Sequence, residues 1–259
     1  MESDLKKALV REEFILNYQP RVDTYTGEIK GAEALIRWNH PIWGVISPME
    51  FIPLAEESGL IDEMSVWILQ KVCSLLIKWE GTGVKRVPIS INLSAKTLKR
   101  ADFIPIVLKY LQKYQVSPSL LEIEITENSM LEMDASVFSN IDSLKDLGIS
   151  ISIDDFGTGF TSISHLKKLK VQFLKIDKSF IKNIIENEED SIIVECIHLL
   201  AKGFNLKVVA EGVETIEQWE MLKKMNCHFI QGYLFSKPLE EKQFVNFISN
   251  GKNIPAFAR

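Results

Sequence analysis

Cysteine is scarce in this chain of 259 residues, and the three present, Cys73, Cys196 and Cys227, stand far apart with no Cys/His ligand spacing. That excludes a disulfide-stapled scaffold and a thiolate metal site, and it reads as free thiols in a reducing compartment. Histidine is nearly as rare. His40, His165, His198 and His228 show no ligand spacing; His165 and His198 fall on helical patterns, and His40 precedes Pro41 in a loop. No apolar run approaches the roughly 20 residues of a membrane span. Charged residues follow Met1 at once, which is not a signal sequence. Basic excess is missing as well: the formal charge is −5 and the pI about 5.5, which leaves no footprint for a DNA or RNA polymer. Low-complexity segments, charge blocks, internal repeats and interdomain linkers are absent too. The expectation is a cytoplasmic protein, or the cytoplasmic domain of a larger one.

What is present suits one large core: 46% of the residues are hydrophobic, 25% are charged, and the mean hydropathy is +0.04. A single barrel of roughly 250 residues is an ordinary size. Eight strands are predicted, at about 14–20, 29–36, 87–93, 121–127, 149–154, 172–177, 206–211 and 228–234. From the third onward, helical patterns separate them, at Phe103 to Tyr114, Ala135 to Leu147, Glu189 to Lys202 and Thr215 to Met225. Such alternation indicates βα units and a mostly parallel sheet. Only Asp23 to Glu28 separates the first two strands, too short for a parallel crossover, so the first strand should run antiparallel. Between the second and third strands, a loop around His40–Gly44, a short helix after Ser47-Pro48 and a longer one from Ile61 to Trp79 form an insertion. The fold class is α/β, a modified TIM (βα)₈ barrel with one reversed strand. Residues 1–12 read as a lead-in helix or linker, 13–250 as the domain and 251–259 as a tail.

Carboxylates gather where these strands run out: Glu33, Glu124, the pair Asp154-Asp155 and Glu211, together with Asn92. Strand parity puts Ser90 and Asn92, Glu122 and Glu124, and Ser152 and Asp154 on one small polar face, opposite isoleucine-rich faces. The apolar face should meet the helices, so the polar face lines the barrel, at the end where barrel enzymes work. Oxygen donors in such number suit hard divalent cations, and their mutual repulsion requires cations or protons. Neighbouring strand residues face opposite ways, so both aspartates cannot point inward from a regular strand; both can reach the pocket if the strand ends there, and Gly157 and Gly159 suggest that it does. Lys175, alternating with apolar residues and sharing a face with Asp177, could hold a water, stabilise phosphate charge, form a Schiff base, or make a salt bridge to Asp177 or a neighbouring carboxylate. The Schiff-base route, that of an aldolase or lyase, suffers from anions that keep a lysine protonated.

Tyr18-Gln19-Pro20, Glu33-Ala34-Leu35, Asn92-Leu93-Ser94, Glu124-Ile125-Thr126-Glu127, Asp154-Asp155-Phe156-Gly157-Thr158-Gly159, Leu174-Lys175-Ile176-Asp177, Ala210-Glu211-Gly212-Val213-Glu214 and Gln231-Gly232-Tyr233 together resemble the EAL domain, over nearly the whole chain. The resemblance implies a bacterial signalling phosphodiesterase that linearises cyclic di-GMP to pGpG with two Mg²⁺ or Mn²⁺ ions. It implies Glu33, Asn92, Glu124 and Asp154 as ligands of one metal, and Asp154, Asp155 and Glu211 as ligands of the other. Lys175 resembles the residue that holds or deprotonates the attacking water, and Gln231 the glutamine beside it. Gln19, Leu35 and Arg37 fall at substrate-contacting positions. Glu127 resembles an anchor of the Phe156–Ser162 loop, which the family couples to homodimerisation and metal occupancy, and Glu214 an outer support. The chain departs mildly from the family at Arg21, where an aliphatic residue is common, at Phe160-Thr161-Ser162 and at Lys237. A catalytically silent cyclic di-GMP receptor is the alternative; degenerate members lose ligands or the loop motif, and this chain keeps both.

Overall fold

The short link between the first two strands does reverse the chain. β1 (Phe14–Asp23) runs antiparallel to β2 (Ile29–His40), with Gln19 opposite Glu33 and Arg21 opposite Gly31. Asp23 makes the turn: its carboxylate accepts the N–H groups of Tyr25 (3.0 Å) and Thr26 (2.8 Å) before Gly27 takes a left-handed φ of 69°. The computed structural model describes residues 2–80, 83–159 and 163–249, so the 251–259 tail and Phe160-Thr161-Ser162 lie outside the described residues.

β2 then pairs in parallel with β4 (Ile89–Asn92), and the parallel ladder continues through β5 (Leu121–Thr126), β6 (Ser150–Phe156), β7 (Phe173–Ile176), β8 (Lys207–Glu211) and β9 (Phe229–Gln231). β9 returns to β1, Val22 facing Ile230, and closes an eight-stranded barrel. Two short strands lie outside the predicted set. β3 (Gly44–Ile46) folds back on the end of β2, and β10 (Leu239–Glu240) pairs with Asn17 and Tyr18.

α2 (Pro48–Ser58) and α3 (Ile61–Lys78) fill the insertion after β3, with Ser47 capping α2. α1 (Glu2–Val10) packs on α2 and buries Leu5 and Ala8. α4 (Ala95–Leu98), α5 (Phe103–Tyr114), α6 (Ala135–Asp146), α7 (Ile163–Leu169), α8 (Lys178–Lys182), α9 (Glu188–Gly203), α10 (Ile216–Lys224) and α11 (Glu241–Ser249) complete the shell. The Thr215 cap of α10 is stronger than its sequence suggested: Thr215 Oγ1 accepts the Gln218 N–H, and Gln218 Oε1 accepts that of Thr215 at 3.0 Å. Ile89, Ile91, Ile123, Ile125, Ile151, Ile153 and Leu174 are all buried beneath the helices. Their alternate neighbours are left to the interior, which is why the interior is polar. Among the described residues no helix is long and apolar enough to cross a membrane.

Candidate active site

The strands deliver their polar residues to one layer at the carboxyl end of the barrel. Asn92 stands opposite Glu124, Glu211 opposite Gln231, and Asp154 one rung up beside Thr126. Lys175 from β7 enters the centre, only 1% exposed. Its Nζ lies 2.7 Å from Glu124, 2.7 Å from Glu211, 3.0 Å from Asp154 and 3.4 Å from Glu33. Glu33 also accepts hydrogen bonds from Asn92 Nδ2 and Gln231 Nε2, each at 2.7 Å. Gln231 Nε2 reaches Gln19 Oε1 at 3.3 Å, and Gln19 donates to the Ser236 carbonyl. Asp177 turns elsewhere and caps α8.

Asp155 arrives by a route the strand pattern did not suggest. β6 does not stop at Asp154; it runs to Phe156, and its register with β7 slips between Ile153 and Phe156. Asp155 takes a left-handed φ of 53°, and its N–H donates to Asp154 Oδ1 at 3.0 Å. A bulge of this kind re-aims a side chain without ending the strand. Both aspartates therefore reach the pocket. Oxygens of Glu33, Glu124 and Asp154 lie within 4.8 Å of one another, as do those of Asp154, Asp155 and Glu211. Asp154 belongs to both groups.

These five carboxylates and one ammonium leave an excess of four negative charges, which two divalent cations would balance. The titration of the groups reflects that excess. Burial, then Glu33, lifts Glu124 well above its ordinary value, and burial raises Asp154 against the pull of Lys175. Burial and Asp154 raise Asp155 to about 6, and burial raises Glu211 to about 8. Glu33 is the exception: Lys175, Gln231 and Asn92 overcome its burial and lower it. Burial alone would lower Lys175, but Asp154, Glu124, Glu211 and Glu33 raise it well above its ordinary value. Carboxylates so close favour the charged form of the lysine, which counts against the Schiff-base option. The donor set, all oxygen and partly shared, fits Mg²⁺ or Mn²⁺.

Glu127 lies beyond the layer, buried, and Oε2 accepts the N–H groups of Gly157 (2.7 Å) and Gly159 (3.0 Å). Gly157 has a φ of 102°, and a Cβ there would come within 2.8 Å of Phe180. Leu35 and Arg37 line a cavity of about 270 Å³ shared with Asn92, Ser94, Glu56, Pro48 and Ile52, so it meets the layer at Asn92. Arg37 is half-buried and donates to the Ile36 carbonyl. A larger cavity of about 910 Å³ lies beside the starts of β8 and β9, lined by α9 and α10 residues such as His198 and Met221. It contains no residue of the layer, not even Asn92, and chemistry outweighs volume here. Glu214 is not brought into the layer: it is exposed after β8, and its backbone N–H donates to Gln218. One pair escaped the sequence reading, the buried bidentate contact of Arg21 with Glu122. Parity offered a signal, since Arg21 shares a face with Gln19 and Glu122 with Glu124.

The EAL domain family model matches residues 2–238. The chain belongs to the EAL domain family. It is 39% identical over 246 residues to the oxygen sensor protein DosP of Escherichia coli, covering 95% of this chain and 31% of that protein. It is 39% identical over 239 residues to the cyclic di-GMP phosphodiesterase NbdA of Pseudomonas aeruginosa, covering 92% of this chain and 30% of NbdA. The solved c-di-GMP complex of the MucR phosphodiesterase, from the same organism, superposes with a TM-score of 0.89 at 39% identity, covering 93% of this chain and 98% of that one. This EAL chain spans about a third of the length of the curated relatives it matches.

Proposed function

We propose that this EAL domain hydrolyses one phosphodiester bond of cyclic di-GMP, giving linear pGpG, with two Mg²⁺ or Mn²⁺ ions. One observation carries the reading: four carboxylates converge on Lys175, a fifth, Asp155, stands beside them, and Asp154 is shared between two oxygen groups, so the set when ionised carries four more negative charges than positive. NbdA and MucR, a phosphodiesterase and a protein solved with the dinucleotide, supply the substrate class. Glu33, Asn92, Glu124 and Asp154 would hold one cation, and Asp154, Asp155 and Glu211 the other. When bound, two such ions supply charge for the scissile phosphodiester and lower the pKa of an attacking water.

The remaining work belongs to the chain's own side chains. Once Lys175 shares its carboxylates with cations, its ammonium is free to hold the attacking oxygen and meet developing phosphate charge. Lys175 would hold the attacking water or take its proton, at the point where four carboxylates meet. Gln231, fixed by Glu33 and Gln19, orients the same water. The fork of Arg37 suits a phosphate oxygen, and the cavity beside Leu35 accepts a base. Glu127 fixes the loop start and so the backbone that turns Asp155 inward.

The rival reading is a receptor that binds cyclic di-GMP without cleaving it. The complete oxygen set argues against it, since a binding module has no need to gather five carboxylates in one layer. Incubation of the purified protein with cyclic di-GMP and Mg²⁺, with chromatography of the products, decides between them. Linear pGpG that disappears with EDTA is expected; binding with intact substrate would select the receptor.

A further inference from the structure

A second charged layer lies directly under the first. Gly31, Ser90, Glu122, Ser152, Phe173 and Phe229 each precede a residue of the upper layer by two, namely Glu33, Asn92, Glu124, Asp154, Lys175 and Gln231. Strand period places each beneath its partner, roughly 6–7 Å down the barrel. Glu122 is therefore a further inward carboxylate close to the five, and it is 1% exposed. Arg21 meets it from β1. Nη1 and Nη2 donate to Oε1 and Oε2, each at 2.7 Å, the two-pronged geometry that fixes a carboxylate's plane. The guanidinium lies on the Phe173 ring at 4.6 Å and reaches Phe229 at 5.5 Å. The interior is shaped to admit it. A Cβ on Gly31 would stand 2.8 Å from Nη2, and the small Ser90 stands opposite Glu122. The charge of Arg21 is also felt above: Glu124 and Glu33 both act on it.

Arg21 was a departure from the family pattern at sequence level, and this geometry gives it a task. We propose that Arg21 is a positioning residue for the metal site: its bidentate clamp holds Glu122 away from Lys175 and the carboxylate ring, so that the barrel offers five carboxylates to its cations and not six. The proposal rests on the two-metal reading above. Lys175 already serves four carboxylates. A released Glu122 would compete for that ammonium from below, pull it out of the ring and shift Glu124 with it.

A charge-removal series tests this, with Mn²⁺ alone as the binding probe, read by electron paramagnetic resonance, and with cyclic di-GMP turnover and melting temperature as further readouts. Arg21→Met is expected to change Mn²⁺ affinity and lower kcat, each roughly tenfold as for outer-sphere supports of metal ligands, with KM for the dinucleotide nearly unchanged. Arg21→Met/Glu122→Leu removes the released anion, and both values should return to within about threefold of the parent because neighbouring sites couple. A plain packing role moves only the melting temperature. Unchanged Mn²⁺ affinity and kcat in folded Arg21→Met would overturn the proposal, as would a folded double variant as impaired as the single one. If Arg21→Met does not fold, Glu122→Gln carries the test: an unpaired guanidinium under Glu124 should weaken Mn²⁺ binding, and unchanged binding overturns the clamp. A parent protein that binds Mn²⁺ but leaves cyclic di-GMP intact would sink the hydrolytic reading alone, leaving the Mn²⁺ comparison to judge Arg21.

Discussion

At the scale of single residues, Lys175 holds the centre. One ammonium touches four carboxylates, three of them buried and Glu211 half-buried, so it is their counter-ion before any metal enters. Lys175→Met should therefore cost both turnover and fold. Removing one partner from a buried charged set typically costs about 3–5 kcal/mol, and urea denaturation in EDTA should show a lower midpoint; an unchanged midpoint would mean the carboxylates need no such partner. Glu33→Ala and Asp154→Ala should each lose more than the roughly 10–100-fold that outer supports of a metal site cost, measured as pGpG formation at saturating Mg²⁺. Near-normal rates in both would refute their assignment as ligands. These acids were legible in the sequence because a strand has period two, and an acid among isoleucines on alternate positions has only the interior to face. Asp155 was half legible. Its inward turn depends on a left-handed φ of 53° at a non-glycine residue, which no alternation pattern encodes. Arg21 was visible as an oddity, but its partner lies 101 residues away and appears only when the barrel closes.

At the scale of elements, one side chain holds the start of the segment after β6. Glu127 Oε2 accepts two backbone N–H groups, from Gly157 and Gly159. Glu127→Ala leaves both without that acceptor and releases the segment that carries them. The expected result is a large fall in kcat with Mn²⁺ binding retained; loss of all metal binding would make Glu127 a direct ligand instead. Gly157→Ala should show the same kinetic defect, because the φ of 102° and the Phe180 ring both oppose a Cβ. The reversed β1 followed from the length of one connection, and the main helices from their periodicity and caps. β3 and β10 did not, since they span three and two residues and carry too few positions for any period to show. Both depend on neighbours already in place, β2 for one and β1 for the other.

At the scale of the whole molecule, the barrel stores uncompensated anionic charge in a protein that is already acidic. Without divalent cations, Glu211 titrates at about 8 against an ordinary 4.5, and Asp155 at about 6 against 3.8. Both values are raised, so the folded chain binds more protons than the unfolded one in between. The stability these groups contribute is full below their ordinary values and is lost as pH climbs through about 6 and then 8. In EDTA the melting temperature should therefore decline from near pH 5 to pH 8, and Mg²⁺ should restore it most at the alkaline end, where protons no longer compete. A melting temperature that rises over that range in EDTA would contradict the charge balance drawn here. Anomalous diffraction from crystals soaked in Mn²⁺ tests the central claim most directly. Two peaks are expected roughly 3.5–4 Å apart, one among Glu33, Asn92, Glu124 and Asp154, the other among Asp154, Asp155 and Glu211. A ring with no peak, or with one ion that leaves Asp155 and Glu211 unliganded, would contradict it.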